Sequence, residues 1–159
     1  MEDAVKRILD GEPIAYILGE WDFYGMRIFL DKNVLIPRDD TCAVTGLAIK
    51  KALFLDQDPR ILDLCTGSGC IAWTMAAESK NRSYFPENSE RGAMVEAVDI
   101  SDDALCVASS QQLEESVSVR FHKADVLKDP DPAIFAEGSY DIILSNPPYV
   151  MDSEKALMR

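Results

Sequence analysis

Apolar and polar positions along this chain fall into blocks of changing period, and each block predicts an element. Residues 2–10 place Val5, Ile8 and Leu9 at helical spacing before a stop at Gly11, which predicts a short helix or the tail of a longer one. The next stretch, GEPIAYILGEWDFYGMRIFLDKNVLIPRDDT, is rich in aromatic and β-branched residues. It is interrupted by the turn-formers Gly25 and Asp31-Lys32-Asn33. That pattern predicts a β-hairpin, about 21–24 with 27–30, and an extended piece at 34–36 that Pro37 ends. Thr41 or Asp40 is placed to cap a helix running to about Leu55.

From residue 60 the pattern becomes strand, turn, helix, repeated. Ile61, Leu62 and Leu64 predict a buried strand, Thr66-Gly67-Ser68-Gly69 a tight turn, and Ile71, Ala72, Met75 and Ala76 a helix. Residues 79–93 are polar and irregular and predict an exposed loop. MVEAVDIS predicts a second buried strand ending at Asp99, with Ser101 and Asp102 opening the helix DDALCVASSQQLEES. VSVRFHKADVL predicts a third strand ending at Asp125, and DPDPAIFAEG a turn-rich connection. Ile142, Ile143 and Leu144 predict a fourth strand, which stops at Asn146 because two prolines cannot continue a ladder.

The end of that fourth strand carries the first candidate chemistry. In SNPPYV, Pro147 and Pro148 fix their own φ and bias the residues before them to extended backbone. The Asn146 amide and the Pro147 carbonyl thus become rigid groups at a strand's carboxyl end, where ligands bind in open α/β sheets. Two acceptors side by side suit a planar amide or amino group with two N–H donors, and Tyr149 can stack on it. The plain alternative is a proline-terminated strand entering a loop.

The glycine turn is the second candidate. Strand, glycine turn, helix lets a ligand approach backbone N–H groups closely. Cys65 stands where a first glycine would be and Ile71-Ala72 follow the last, so the pyrophosphate spacing is absent and a nucleoside-type cofactor fits better than a dinucleotide. Asp99, at the end of the second strand, is placed to accept from both ribose hydroxyls; the other reading makes it a favourable charge at the next helix's N-terminus. It lies further from Gly69 than the usual figure of about 20 residues, an excess the polar loop explains. Asp125 can accept from an adenine amino group while Val126 covers the ring, or KAD is an ordinary turn.

Composition narrows the function classes. The chain has 159 residues, enough for one domain with a real core. It carries 16 basic against 28 acidic residues, net −12, which argues against nucleic acid as the main partner. No apolar stretch reaches about 18 residues and no signal-peptide pattern leads the chain, so a cytoplasmic protein is expected. Cys42, Cys65, Cys70 and Cys106 show no CxxC spacing and accompany a single histidine, so reduced thiols are expected, with no metal site. His122 lies in the strand-like VRFHK and reads as structural.

With DLCTGSG, VDIS, AD and SNPPY in that order on successive strands, the chain resembles the class I S-adenosylmethionine-dependent methyltransferases. GEPIAYILG, LIPRDDT and NPPY together resemble, more narrowly, the protein-glutamine N5-methyltransferases that modify peptide chain release factors. The resemblance covers about residues 8 to 151. It implies an α/β, Rossmann-like class I methyltransferase sheet, partial here, with about four parallel strands and flanking helices after a β-hairpin. Residues 1–36 would be an N-terminal helix remnant and hairpin linker, and 37–159 the S-adenosylmethionine-binding domain without its C-terminal strands.

Position by position, the resemblance implies cofactor contacts at Asp63, Cys65, Thr66, Gly67, Ser68, Gly69, Asp99, Asp125, Val126 and Asn146. It implies a catalytic substrate clamp at Asn146, Pro147, Pro148 and Tyr149. The implied partner is a release factor. Two departures stand out: Cys65 replaces the usual first glycine, and Cys42 follows Thr41 where the family usually has Glu. Cys65 then needs a negative φ or a tolerated strain. The family has further strands after NPPY and an N-terminal helical domain, so this chain is expected to be truncated, weakly stable as a monomer and prone to self-association through an open apolar edge.

The rival expectations are a glutamine in a ribosomal protein, a nucleic-acid amino group, or an inactive fragment that binds cofactor at most. A dinucleotide-dependent oxidoreductase ranks last.

Overall fold

The computed structural model describes residues 2–55, 57–80, 92–111, 117–128, 131–136 and 138–149. Helix α1 (Glu2–Leu9) ends where Gly11 turns to φ 86°. Helix α2 (Ile14–Leu18) forms among residues whose aromatic and β-branched character predicts none. Pro13, at φ −56°, stands at its N-cap, and Gly19 closes it in the left-handed region at φ 74°. Strands β1 (Glu20–Phe23) and β2 (Met26–Phe29) make the hairpin, one residue earlier than the sequence suggests, with Glu20 opposite Phe29 and Phe23 opposite Met26. Tyr24 and Gly25, both with positive φ (55° and 77°), make the two-residue turn whose twist suits a hairpin.

Residues 34–36 form no strand. Val34 is instead buried, and its carbonyl accepts the Tyr16 hydroxyl at 2.8 Å. Helix α3 (Asp39–Leu53) has Arg38 at its N-cap, so Asp40 and Thr41 lie inside its first turn rather than capping it. The free Thr41 hydroxyl then has other work.

The parallel sheet follows as β3 (Arg60–Leu64), helix α4 (Cys70–Glu78), β4 (Met94–Asp99), helix α5 (Asp102–Ser109), β5 (Val119–Lys123), helix α6 (Pro132–Phe135) and β6 (Ile142–Ser145). Leu64 is half-buried rather than buried. Strand β5 stops at Lys123, two residues short of Asp125, and α6 is a four-residue turn of helix inside the turn-rich connection. Residues 81–91 of the expected polar loop and 112–116 of the expected helix lie outside the described residues.

All pairings in the four-stranded sheet are parallel, in the order β5-β4-β3-β6. One face packs Ile61, Val95, Ala97, Ile142 and Leu144 against Ile49, Ile71 and Met75, and Phe23 and Ile28 of the hairpin join the same core. The other face carries a smaller cluster of Leu62, Val98 and Ile134. His122, the penultimate residue of β5, pairs with Val98 and has its Nε2 3.5 Å from Glu96 Oε2. Among the described residues no helix is long and apolar enough to cross a membrane.

The order of strands decides where a ligand fits. The chain adds β4 and β5 on one side of β3, then returns to lay β6 on the other. Neighbouring connections therefore diverge between β3 and β6, and the crevice lies at their carboxyl ends.

Candidate active site at the strand carboxyl ends

The turn after β3 is built from left-handed residues. Cys65, Gly67 and Gly69 take φ of 58°, 56° and 80°. A Cβ on Gly69 would meet Trp73 Cδ1 at 2.9 Å and Ala108 Cβ at 3.1 Å, so conformation and space both demand glycine there. A Cβ on Gly67 would meet nothing within 4 Å, so the space beside that residue is open. The turn is pinned by Thr66 N–H donating to the Val98 carbonyl (3.0 Å) and Gly69 N–H to the Thr66 carbonyl (2.9 Å). Cys65 thus takes the strained alternative, a non-glycine residue at positive φ. Burial and the charge of Asp99 push its thiol up, with Ser145 opposing, and burial pushes the Cys70 thiol up to about 12. Both stay protonated at neutral pH, which makes them poor nucleophiles.

Two carboxyls flank this turn. Asp63 is fully buried, its Oδ2 accepts the Thr66 hydroxyl at 2.5 Å, and its Oδ1 has no hydrogen-bond partner among the described residues. Burial pushes this carboxyl up to about 7, against the opposing Thr66 hydroxyl. Asp99 is only half-buried. Its Oδ2 accepts the Gly67 N–H at 2.9 Å and its Oδ1 the Ser101 N–H at 3.0 Å. The cap of α5 is Ser101, whose Oγ accepts the Ala104 N–H at 3.2 Å, so Asp99 is not the capping side chain. Each Asp99 oxygen keeps further acceptor capacity, and the Gly67 bond fixes the carboxylate beside the open glycine.

Across the crevice, β6 is tied to β3 by Ser145 Oγ donating to the Leu64 carbonyl at 3.0 Å. Asn146 follows, half-buried, and its Nδ2 donates to Thr41 Oγ1 at 3.0 Å. Pro147, Pro148 and Tyr149 are exposed, and the Tyr149 ring, 69% exposed, does not close over Asn146. Asp125 and Val126 sit past β5, on the side of Asp99, since Asp99 and Lys123 are register partners. The Asp125 Oδ1 accepts the Leu127 N–H at 3.0 Å and its Oδ2 lies 3.2 Å from Lys128 Nζ, an Asx turn with an ion pair that lowers its carboxyl. Val126 is 38% exposed. The structure therefore brings the glycine turn and Asp99 into direct contact and puts Asn146 at the end of the adjacent strand. Asp125 and Val126 follow β5, on the side of Asp99 away from Asn146 in the strand order.

Two residues of the site escape sequence reasoning. Thr41 reads locally as a helix cap, and nothing near it signals a partner 105 residues on. Gln111 is buried; its Oε1 accepts the Phe29 N–H at 2.9 Å, and its Nε2 donates to the carbonyls of Phe29 (3.0 Å) and Ser68 (3.1 Å). One side chain thereby joins the hairpin's edge to the glycine turn. Among the described residues no group of three or more His, Cys, Asp or Glu is arranged to hold a metal ion.

Comparison with known proteins adds to this geometry. The family model of the methyltransferase small domain matches residues 47–158. The release factor glutamine methyltransferase of Chlorobaculum tepidum is 41% identical over 165 residues, covering 98% of this chain and 51% of that protein. Its counterpart in Flavobacterium psychrophilum is 35% identical over 156 residues, covering 97% of this chain and 50% of that protein. The one in Bacillus subtilis is 38% identical over 150 residues, covering 92% and 47%. The chain spans about half the length of the curated relatives it matches. Among solved structures, a SAM-dependent methyltransferase from Agrobacterium tumefaciens aligns with a TM-score of 0.57 at 21% identity, covering 82% of this chain and 40% of that one; this is a likeness of fold.

Proposed function

The chain belongs to the methyltransferase small domain family, and from that premise we propose that it transfers a methyl group from S-adenosylmethionine to the side-chain amide nitrogen of a glutamine in a peptide chain release factor. The observation that carries this reading is the convergence, at one switch point, of a left-handed glycine turn held by Asp99 and an Asn-Pro-Pro-Tyr strand end. The names of the relatives, release factor glutamine methyltransferases, supply the substrate class.

The residues fit such a cofactor. The open face of Gly67 admits close approach to backbone, and the spare lone pairs of Asp99 suit a pair of vicinal hydroxyls. On this reading Asp63 and residues 65–69 hold the amino-acid end, Asp99 the ribose, and Asp125 with Val126 the base. When bound, S-adenosylmethionine supplies an electrophilic methyl group.

The chain's own residues handle the acceptor. An amide nitrogen is a weak nucleophile because its lone pair is delocalised into the carbonyl. Asn146 Oδ1 and the Pro147 carbonyl would accept its two N–H groups, fixing the nitrogen and stabilising the positive charge it gains on bonding to carbon. Tyr149 would fold from its exposed position over the amide plane and exclude water. The extra proton leaves afterwards, which requires no general base; the chain's one histidine, His122, has its ring beside Glu96. Residues 37–159 would carry the reaction, after the helix remnant and hairpin linker of 1–36, in the cytoplasm, at translation termination.

The test is transfer of a labelled methyl group to a purified release factor, with a ribosomal protein and duplex DNA as competing acceptors. Label on one release-factor glutamine, lost in Asn146→Ala, is the expected result. Label on DNA or on the ribosomal protein instead would replace the substrate assignment, and cofactor binding without transfer would reduce the chain to a binding fragment.

A further inference from the structure

We infer that Thr41 is a positioning residue: its hydroxyl takes the Nδ2 end of Asn146, so that Oδ1 is the end the crevice receives. The inference rests on the methyl-transfer reading for its consequence, but on geometry for its substance. A primary amide has a donor end and an acceptor end of nearly the same shape, and the torsion that exchanges them is broad and roughly two-fold. Left to itself, the Asn146 side chain would present either. Only the acceptor end suits a substrate that brings two N–H donors.

In the structure one end of that amide is engaged by a fixed partner. Thr41 is 8% exposed in the first turn of α3, and α3 packs against β6, so its hydroxyl lies beside the strand's end. Nδ2 donates to Thr41 Oγ1 at 3.0 Å. The helix turn beneath it is fixed in turn, because the Thr45 hydroxyl, fully buried, donates to the Thr41 carbonyl at 2.8 Å. A buried hydroxyl carried on a packed helix has little freedom and little water to compete for it. With its Nδ2 end held on Thr41, Asn146 leaves Oδ1 to accept from a ligand that brings N–H donors, such as a primary amide.

The experiment compares wild type, Thr41→Val and Thr41→Ser in the full 159-residue chain. The first readout is the side-chain nitrogen–proton cross-peaks of Asn146, assigned by their loss in Asn146→Asp. The bonded proton should shift and exchange several-fold faster with water in Thr41→Val, and stay as in wild type in Thr41→Ser. Unchanged Asn146 signals in Thr41→Val overturn the inference. If the Val variant does not fold, Thr41→Ala removes the hydroxyl without added branching and takes its place.

The second readout is methyl transfer. Thr41→Val should lower kcat by roughly 10- to 100-fold, the scale of a misplaced catalytic group, with cofactor affinity unchanged and Thr41→Ser restoring the rate. In an Asn146→Ala background the same substitution should have no further effect on the rate. A Val variant with wild-type kcat, or an equal loss in both backgrounds, overturns the inference. Absence of transfer by wild type counts against the methyl-transfer reading alone, and the Asn146 cross-peaks then decide the orientation of the amide.

Discussion

A carboxyl with no exposed surface holds its proton more tightly folded than unfolded, and Asp63 is such a group. Burial raises it from 3.8 to about 7. Between those values the folded chain keeps a proton that the unfolded chain has released, so stability falls as pH rises through this window. One proton gives a slope of up to about 1.4 kcal/mol per pH unit. Thermal unfolding midpoints of Asp63→Asn, measured from pH 4 to 8, should lose that downward slope relative to wild type; parallel curves would show that Asp63 is charged when folded. Two residues on, Cys65 sits at φ 58°, a conformation that costs an L-residue roughly 1–2 kcal/mol. Cys65→Gly should stabilise by up to about 1 kcal/mol after the entropic cost of glycine, read from urea midpoints. At this scale the sequence exposed the glycine turn, Asp99 and Asn146, because each follows a recognisable strand. It left hidden that Ser101 takes the cap and that Thr41 turns to Asn146, since both depend on which side chains meet in space.

At the scale of elements, the buried strands β3, β4 and β6 were legible as continuous apolar runs with turn residues after them. Helix α2 was not, since Ile14, Tyr16 and Ile17 favour strands and only Pro13 and Gly19 frame a helix. Strand β5 looked longer than it is because Asp125 closes an Asx turn with Leu127, which competes with the ladder. Glu96 lies inside an otherwise apolar strand, 6% exposed, where it accepts from Arg120 (2.9 Å) and the Tyr140 hydroxyl (2.6 Å). Gln111 is the joint between elements, its amide standing in for a strand partner of β2 at Phe29 while holding Ser68. Gln111→Ala leaves those backbone groups unpaired and should cost about 2–3 kcal/mol. Amide exchange should accelerate at Phe29 and across 66–69 together. Protection lost in the hairpin alone would mean that the two are not coupled.

For the whole molecule, the order β5-β4-β3-β6 turns separate motifs into one site, because it puts the ends of β3, β4 and β6 at a single crevice. No periodicity in the sequence states that order; the resemblance implied about four parallel strands, and the structure supplies their order. Among the described residues β6 pairs only with β3, and Ile143 on it is 59% exposed. An edge of this kind templates pairing with a second copy, so Ile143→Lys should shift sedimentation towards monomer at a concentration where wild type associates. Equal sedimentation of the two would clear the edge of that role.

The central claim is that residues 63–69 and Asp99 form an assembled cofactor half within this chain. Calorimetric titration with S-adenosylhomocysteine, on wild type and Asp99→Ala, tests it most directly. The account predicts saturable, roughly micromolar binding by wild type, about −8 kcal/mol, and its loss in a folded Asp99→Ala chain. A folded wild-type chain that takes up no S-adenosylhomocysteine, or an Asp99→Ala chain that binds it equally well, would contradict it.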